Sequence, residues 1–201
     1  MDILTVESFK TLDAVRALFE NAGYIGEKNC FLAALNRDYL PKNTGFFTTS
    51  LAAGGADISG VIGGFSGALI GKSVEVTMAE QRAKITDRSI FILTNTSDIC
   101  GYVINKTEKG FGFIPLSNEY KLITKFEEVK AHPDFLATVP YDKIDKMKLK
   151  KIPFNFNRRI LQLTFLCESP FAFLTLTLPT KSDIFPYQEE QMKILMEDIM
   201  I

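Results

Sequence analysis

Residues 146–178 read KMKLKKIPFNFNRRILQLTFLCESPFAFLTLTL, and this stretch decides the fold class. Apolar residues dominate it in short runs that Pro, Asn and Ser interrupt. Runs of this length, rich in β-branched and aromatic residues and bounded by turn formers, are typical of β-strands. The predicted strands are Lys146 to Ile152, Ile160 to Leu166 and Phe171 to Leu178.

Further runs of the same kind precede this stretch. They predict strands at Cys30 to Leu35, Ser89 to Leu93, Ile99 to Ile104 and Gly112 to Leu116, with a short helix as the alternative for the first run. All the runs together give about seven strands, which is enough for a sandwich or a barrel.

Both ends of the chain carry apolar residues at the spacing of an amphipathic helix. The N-terminal helix is predicted within residues 1–23, where Gly23 ends it. The C-terminal helix follows Pro186 and places these apolar residues on one face: Met192, Leu195, Met196, Ile199 and Met200. The predicted organisation is therefore an N-terminal helix, residues 1–23, followed by one β-rich domain, residues 24–201.

A Gly-rich, apolar insertion occupies residues 45–80. Its small residues would let two helices approach closely, as in small-x-x-x-small packing within membranes. Asp57 opposes a membrane span, since an Asp at a helix centre costs about 3 kcal/mol on insertion. The alternatives are a helix or loop packed on the domain, or one packed on a second copy of the chain. The candidate oligomer or membrane contacts are Gly60, Gly64, Phe65, Gly67, Leu69 and Gly71.

A basic hairpin is predicted from alternating lysines. Lys146, Lys148 and Lys150 share one face of a strand, since successive side chains on a strand point to opposite faces. Lys151 and the pair Arg158 and Arg159 add charge nearby, so the six form a candidate patch for anions or lipid headgroups. The alternative is a solvated edge strand whose lysines discourage aggregation.

The segment Lys109 to Ile114 reads KGFGFI and resembles the RNP1 signature of RNA-recognition and cold-shock domains. That resemblance implies that Phe111 and Phe113 stack on bases of single-stranded nucleic acid. The alternative is a hairpin whose glycines form the turn and whose two phenylalanines enter the core.

Composition and charge exclude several classes. The net charge of −1 gives no global field that would attract nucleic acid or anionic lipid, so an electrostatic partner needs a local patch. Three cysteines, Cys30, Cys100 and Cys167, lack the C-x-x-C spacing of zinc or redox sites, which favours a reduced, cytoplasmic chain. No metal or cofactor is therefore expected.

Catalytic patterns are weak. Residues 66–73 end like a phosphate-binding P-loop, but Ser66 stands where that motif has its first glycine. His132 is the only histidine, and its position beside Pro133 predicts an exposed loop residue. Triads and metal clusters need more partners at recognisable spacing, so we expect a protein that is not an enzyme.

Two short motifs resemble bacterial pleckstrin-homology-like (PH-like) domains. Ile85 to Ile92 resembles the start of one of their strands, and Val139 to Ile144 resembles a segment before another strand. The resemblance implies an antiparallel barrel of seven strands closed by a C-terminal helix.

The sequence thus predicts an α+β protein with a PH-like barrel, an N-terminal helix and a Gly-rich insertion. Its expected role is a non-catalytic binding or assembly module. The expected partner is another protein or a second copy of the chain. An anionic lipid surface, with membrane association of a cytoplasmic protein, is the alternative, and nucleic acid is the least favoured partner.

Overall fold

The computed structural model describes residues 5–36, 84–94, 99–118, 129–152, 155–169, 172–182 and 184–199. Within these ranges the chain is an α+β protein with one antiparallel sheet of eight strands and three α-helices. The strands are β1 (Asn29–Asn36), β2 (Gly101–Thr107), β3 (Gly110–Asn118), β4 (Val129–Ala131), β5 (Ala137–Pro140), β6 (Ile144–Ile152), β7 (Asn155–Phe165) and β8 (Phe173–Pro179).

The helices lie near the two ends and between β1 and β2. They are α1 (Leu12–Asn21), α2 (Arg88–Thr94) and α3 (Gln188–Ile199), with short 3-10 turns at Val6–Ser8, Pro133–Phe135 and Tyr141–Lys143. Thr11 caps α1, because its hydroxyl accepts a hydrogen bond from the Ala14 amide at 3.2 Å. Gly23 follows α1 with a φ of 73°, a left-handed conformation that suits glycine. The predicted terminal helices are therefore both present.

The sheet is open. Its strand order is β4-β3-β2-β1-β8-β7-β6, and β5 pairs with β3 on the same edge as β4. Within the described ranges no ladder joins β6 to β4 or β5. The predicted closed barrel is therefore wrong, since the two ends of the sheet remain separate edges.

The sheet separates two apolar clusters. The inner face contacts α2 and α3 and buries a large cluster that includes Leu32, Phe113, Leu161 and Leu176. The outer face of β1 to β4 is covered by α1 and the segment before α3, around a second cluster that includes Phe31. The alternation of apolar residues along each strand produces these two faces.

The C-terminal helix is attached to β1 by side-chain amides. β1 and β8 pair only at Leu35↔Thr177 and Asn36↔Leu176. Where they diverge, Gln188 accepts from the Ala33 amide at 2.9 Å and donates to the Ala33 carbonyl at 3.0 Å. Gln191 accepts from the Phe31 amide at 2.9 Å. The two glutamines thus satisfy backbone groups that a neighbouring strand would otherwise pair.

One predicted strand is a helix. Residues 89–93, expected as a strand, lie within α2. Asp87 caps this helix, since its carboxylate accepts from the amides of Ser89 at 2.9 Å and Ile90 at 3.2 Å. Ile90 and Leu93, three residues apart, both enter the inner core, so helical periodicity prevails over β-branched composition. The PH-like motif at 85–92 is therefore not the start of a strand.

Candidate functional site

Three lysines form a row on the outer face of the sheet. Lys146, Lys148 and Lys150 pair across β6 and β7 with Thr164, Gln162 and Ile160. The intervening residues of β6, Met147 and Leu149, pack against the inner core, so the lysines point away from it. We call Lys146, Lys148 and Lys150 the lysine row.

The other predicted patch residues divide between the two faces. Arg158 lies on the face of the lysine row, two residues before Ile160 on the same strand. Lys151 and Arg159 lie opposite each other in the β6–β7 ladder, and both side chains are on the inner face. The guanidinium of Arg159 donates to the Arg158 carbonyl at 3.0 Å. The predicted patch of six is thus four outward-facing cations and two inward-facing ones.

The lysine row is largely free to interact. Lys146 lies 3.6 Å from the Asp145 carboxylate, and its side chain is 66% exposed, so solvent screens the pair. In the described part of the chain, Lys148 and Lys150 make no ion pair. Lys146 and Lys148 are exposed and Lys150 is half-buried, so the row faces solvent.

A pocket of about 290 Å³ opens on the outer face beside the junction of β1 and β8. The segment between β8 and α3 forms one of its walls. Its described lining residues are Ala33, Ala34, Leu35, Leu116, Asn157, Arg158, Thr177, Pro179, Lys181, Ser182 and Phe185.

Two cations line this pocket, and they differ in their partners. Lys181 is 3.0 Å from the Glu189 carboxylate, whereas Arg158 makes no ion pair with any described residue. The Ser182 hydroxyl accepts from the Phe185 amide at 3.2 Å, and its own proton stays available for donation. Among the described lining cations, Arg158 is therefore the one without a carboxylate partner, and Ser182 adds a hydroxyl to the same pocket.

The two aromatic residues of the KGFGFI segment are core residues. Phe111 and Phe113 are both 0% exposed, and their rings stack on each other with centroids 5.8 Å apart. Tyr102 and Tyr141 pack edge-on against this pair. The stacking role predicted for Phe111 and Phe113 is therefore wrong, because no base can reach either ring.

The glycines of this segment serve packing. Gly110 has a φ of 151°, and a Cβ there would meet the Val139 carbonyl on β5. A Cβ at Gly112 would lie 2.5 Å from the ring of Tyr24. The close approach that these glycines permit is to the protein itself, not to a nucleic acid.

His132 is half-buried rather than exposed. Its Nε2 atom lies 2.6 Å from the Ser117 hydroxyl, which joins the end of β4 to β3. Burial lowers the pKa of His132, and Lys130 lowers it further, while Asp134 opposes the shift. Burial therefore favours the neutral form of the imidazole.

The thiols divide by burial. Cys30 and Cys100 are buried, and burial raises the pKa of each to about 12, whereas Cys167 is exposed. Buried thiols of this kind are unreactive because the thiolate is the reactive form. Across the described ranges, no group of three His, Cys, Asp or Glu side chains could hold a metal ion.

The Gly-rich insertion and its six candidate contact residues, Gly60, Gly64, Phe65, Gly67, Leu69 and Gly71, lie outside the described residues. None of the described helices is both long enough and apolar enough to cross a bilayer.

The sequence did not indicate two parts of this surface. The pocket depends on the divergence of β1 from β8, and the contact of Ser117 with His132 depends on strand pairing; neither leaves a local pattern in the sequence. Comparison of the chain with protein-family models, with curated proteins and with solved structures gave no significant match.

Proposed function

We propose that the chain is a non-catalytic binding module of the PH-like type that docks on an anionic membrane surface through the lysine row. The observation that carries the proposal is the position of Lys146, Lys148 and Lys150 in line on the outer face of an end strand. The protein as a whole is nearly neutral, so attraction to an anionic surface has to come from this row.

The shape of the row favours a surface over a small ligand. Alternate residues of a strand lie about 6–7 Å apart, so the three ammonium groups extend over about 13 Å. They stand in a line on a sheet face instead of converging around a cavity. Such a line can contact several headgroups at once, and each contact adds a separate electrostatic term.

The strand order supports the PH-like part of the proposal. The first strand, β1, neighbours the last strand, β8, and α3 packs into the inner core beside them. Since β4 and β5 lie along the same strand, β3, they count as one interrupted strand. Seven positions in the sheet result, followed by a terminal helix, so the number of strands and the helix, although not the closure, support the resemblance.

The expected strength follows from the number of charges. Each Lys near an anionic leaflet contributes about 1 kcal/mol, so removing three would weaken partitioning on the order of a hundredfold. The Debye length falls from about 8 Å at physiological salt to about 3 Å at 1 M, so binding should be lost in high salt.

The test is co-sedimentation with vesicles of phosphatidylserine and phosphatidylcholine. The full chain should bind these vesicles, and the variant with Lys146, Lys148 and Lys150 all changed to Gln should not. A matched control changes Lys28, Lys84 and Lys109 to Gln, three lysines that are exposed elsewhere on the surface. This control has the same net charge as the first variant and should bind like the unmodified chain.

Two results would contradict the proposal. One is equal loss of binding in both triple variants, which would mean that only net charge matters. The other is unchanged binding of the Lys146, Lys148 and Lys150 variant together with increased aggregation, which would mean that the row protects an exposed edge.

The assembly role rests on the sequence of residues 45–80 alone. If this insertion joins two copies, deleting residues 51–73 will convert a dimer into a monomer in size-exclusion chromatography with light scattering. Identical monomeric elution of the full chain and the deletion variant would contradict this role.

A further inference from the structure

We propose that the pocket beside the junction of β1 and β8 binds a small monocarboxylate with an apolar body. This inference goes beyond the membrane role and does not depend on it. The pocket combines apolar lining residues with several polar ones, as small-molecule sites generally do.

The apolar lining residues favour a ligand with an apolar body. Leu35, Leu116 and Phe185 line the pocket with side chains that carry no charge. Its volume of about 290 Å³ equals the space of roughly ten water molecules. A single ring or a short hydrocarbon chain fits this space, whereas a dinucleotide or a peptide segment does not.

The charges that line the pocket favour a ligand with one negative charge. The Lys181 ammonium is 3.0 Å from the Glu189 carboxylate, which also lies 3.9 Å from the Lys193 ammonium outside the pocket lining. Arg158 has no such partner among the described residues. Arg158 is thus the described lining cation that has no carboxylate partner, and a single guanidinium matches one negative charge, which favours a monoanion over a phosphate dianion.

The geometry of the donors favours a carboxylate. A guanidinium presents a planar fork that fits the two oxygens of a carboxylate. The hydroxyl proton of Ser182 offers a further donor within the pocket lining, because its oxygen already accepts from the Phe185 amide. A carboxylate in the pocket would accept hydrogen bonds from these donors.

The experiment is an NMR titration of the ¹⁵N-labelled full chain with sodium benzoate. Benzamide serves as the neutral probe of the same shape, and phenyl phosphate serves as the dianionic one. Benzoate should bind with a dissociation constant of about 1 mM or tighter and shift the amides of Leu35, Thr177 and Ser182. Benzamide should bind at least about tenfold more weakly, and phenyl phosphate no more tightly than benzoate.

Variants assign the binding to Arg158. Arg158→Gln should weaken benzoate binding about tenfold to a hundredfold, and Arg158→Lys should give a smaller loss, because it keeps the charge but not the fork. The matched control is Arg88→Gln on α2, which packs on the opposite face of the sheet and should bind benzoate normally. Both Arg158 variants should keep the amide spectrum of a folded chain.

Each other outcome overturns the inference. Absence of benzoate binding removes the site, and Arg158→Gln that binds benzoate as tightly as the unmodified chain places benzoate elsewhere. Equal affinity for benzamide shows that no anion is recognised. Tighter binding of phenyl phosphate makes the ligand an organic phosphate instead of a carboxylate. Because no vesicle enters these titrations, their failure leaves the membrane proposal standing.

Discussion

The side-chain amide of Gln188 holds α3 against β1, and changing it to alanine should destabilise the domain. This amide makes three hydrogen bonds, to the Ala33 amide at 2.9 Å, the Ala33 carbonyl at 3.0 Å and the Pro179 carbonyl at 2.9 Å. Gln188 is 0% exposed, so water cannot replace these partners without structural change.

The magnitude follows from these contacts. A hydrogen bond within a protein contributes about 1 kcal/mol net, and a buried group left without a partner costs about 1–3 kcal/mol. With three bonds lost, Gln188→Ala should lower the free energy of unfolding by about 3 kcal/mol. Since domains are stable by about 5–15 kcal/mol, this is a large fraction of the total.

Urea denaturation followed by far-ultraviolet circular dichroism measures the effect, because the chain has no Trp to report by fluorescence. With a urea slope of about 2–3 kcal/mol per molar, the midpoint should fall by about 1 M or more. Gln162→Ala is the matched control, since Gln162 lies half-buried on the outer face between two strands. It should change stability by no more than about 0.5 kcal/mol.

The variant Gln188→Glu tests the direction in which stability changes with pH. A carboxylate at this position would face the carbonyl oxygens of Ala33 and Pro179 in a buried site, so its folded pKa should lie above the unfolded value of about 4.3. Stability of this variant should therefore be highest in mild acid and decline as the pH rises through the folded pKa. If Gln188→Ala costs less than about 1 kcal/mol, these amide contacts do not hold the helix.

Three further results are expected. Gly110→Ala should lower the free energy of unfolding by about 2–3 kcal/mol, which is more than Gly112→Ala should. The reason is that Gly110 has a positive φ and its new Cβ would meet main chain, whereas at Gly112 it would meet a movable ring. Thermal unfolding of both variants tests this order. One thiol, Cys167, should react rapidly with a disulfide reagent in the native chain, and all three should react after unfolding; rapid native reaction of more than one would refute the burial described above. The single histidine, His132, should titrate below the usual histidine pKa of about 6.5 in an NMR titration. Its contribution to stability should therefore be lost as the pH falls below about 6.5. A titration midpoint above about 6.5 would contradict this prediction.

The strands that the sequence predicted well are those with strong alternation. In β6, the lysines at 146, 148 and 150 and the apolar residues between them separate cleanly onto two faces. This separation follows from local geometry alone, so the lysine row could be predicted from the sequence. The division of Arg158 from Arg159 follows from the same alternation.

Other elements depend on tertiary contacts that a single sequence does not display. The run at residues 89–93 has strand-like composition, yet Asp87 caps it as a helix and the inner core takes its two apolar residues. β4 and β5 were not predicted, because they are short and a turn at Pro133–Phe135 interrupts them. Closure of the sheet was wrongly predicted, since strand number does not determine whether the end strands meet.

The pocket could not be predicted for a related reason. Its lining residues come from β1, β3, β7, β8 and the segment before α3, which are far apart in sequence. They meet only because β1 and β8 diverge after two residue pairs. Nothing in the local pattern around Arg158 distinguishes it from a solvated arginine.

The attachment of α3 to β1 also affects the order in which the chain can fold during synthesis. Gln188 bonds to Ala33, which lies 155 residues earlier, so this part of β1 acquires its partners only after almost the whole described chain has left the ribosome. At about 5–20 residues per second, the exposed backbone of β1 would wait on the order of ten seconds. A nascent chain that stalls before residue 188 would therefore present an unpaired strand edge, which chaperones or other nascent chains could bind.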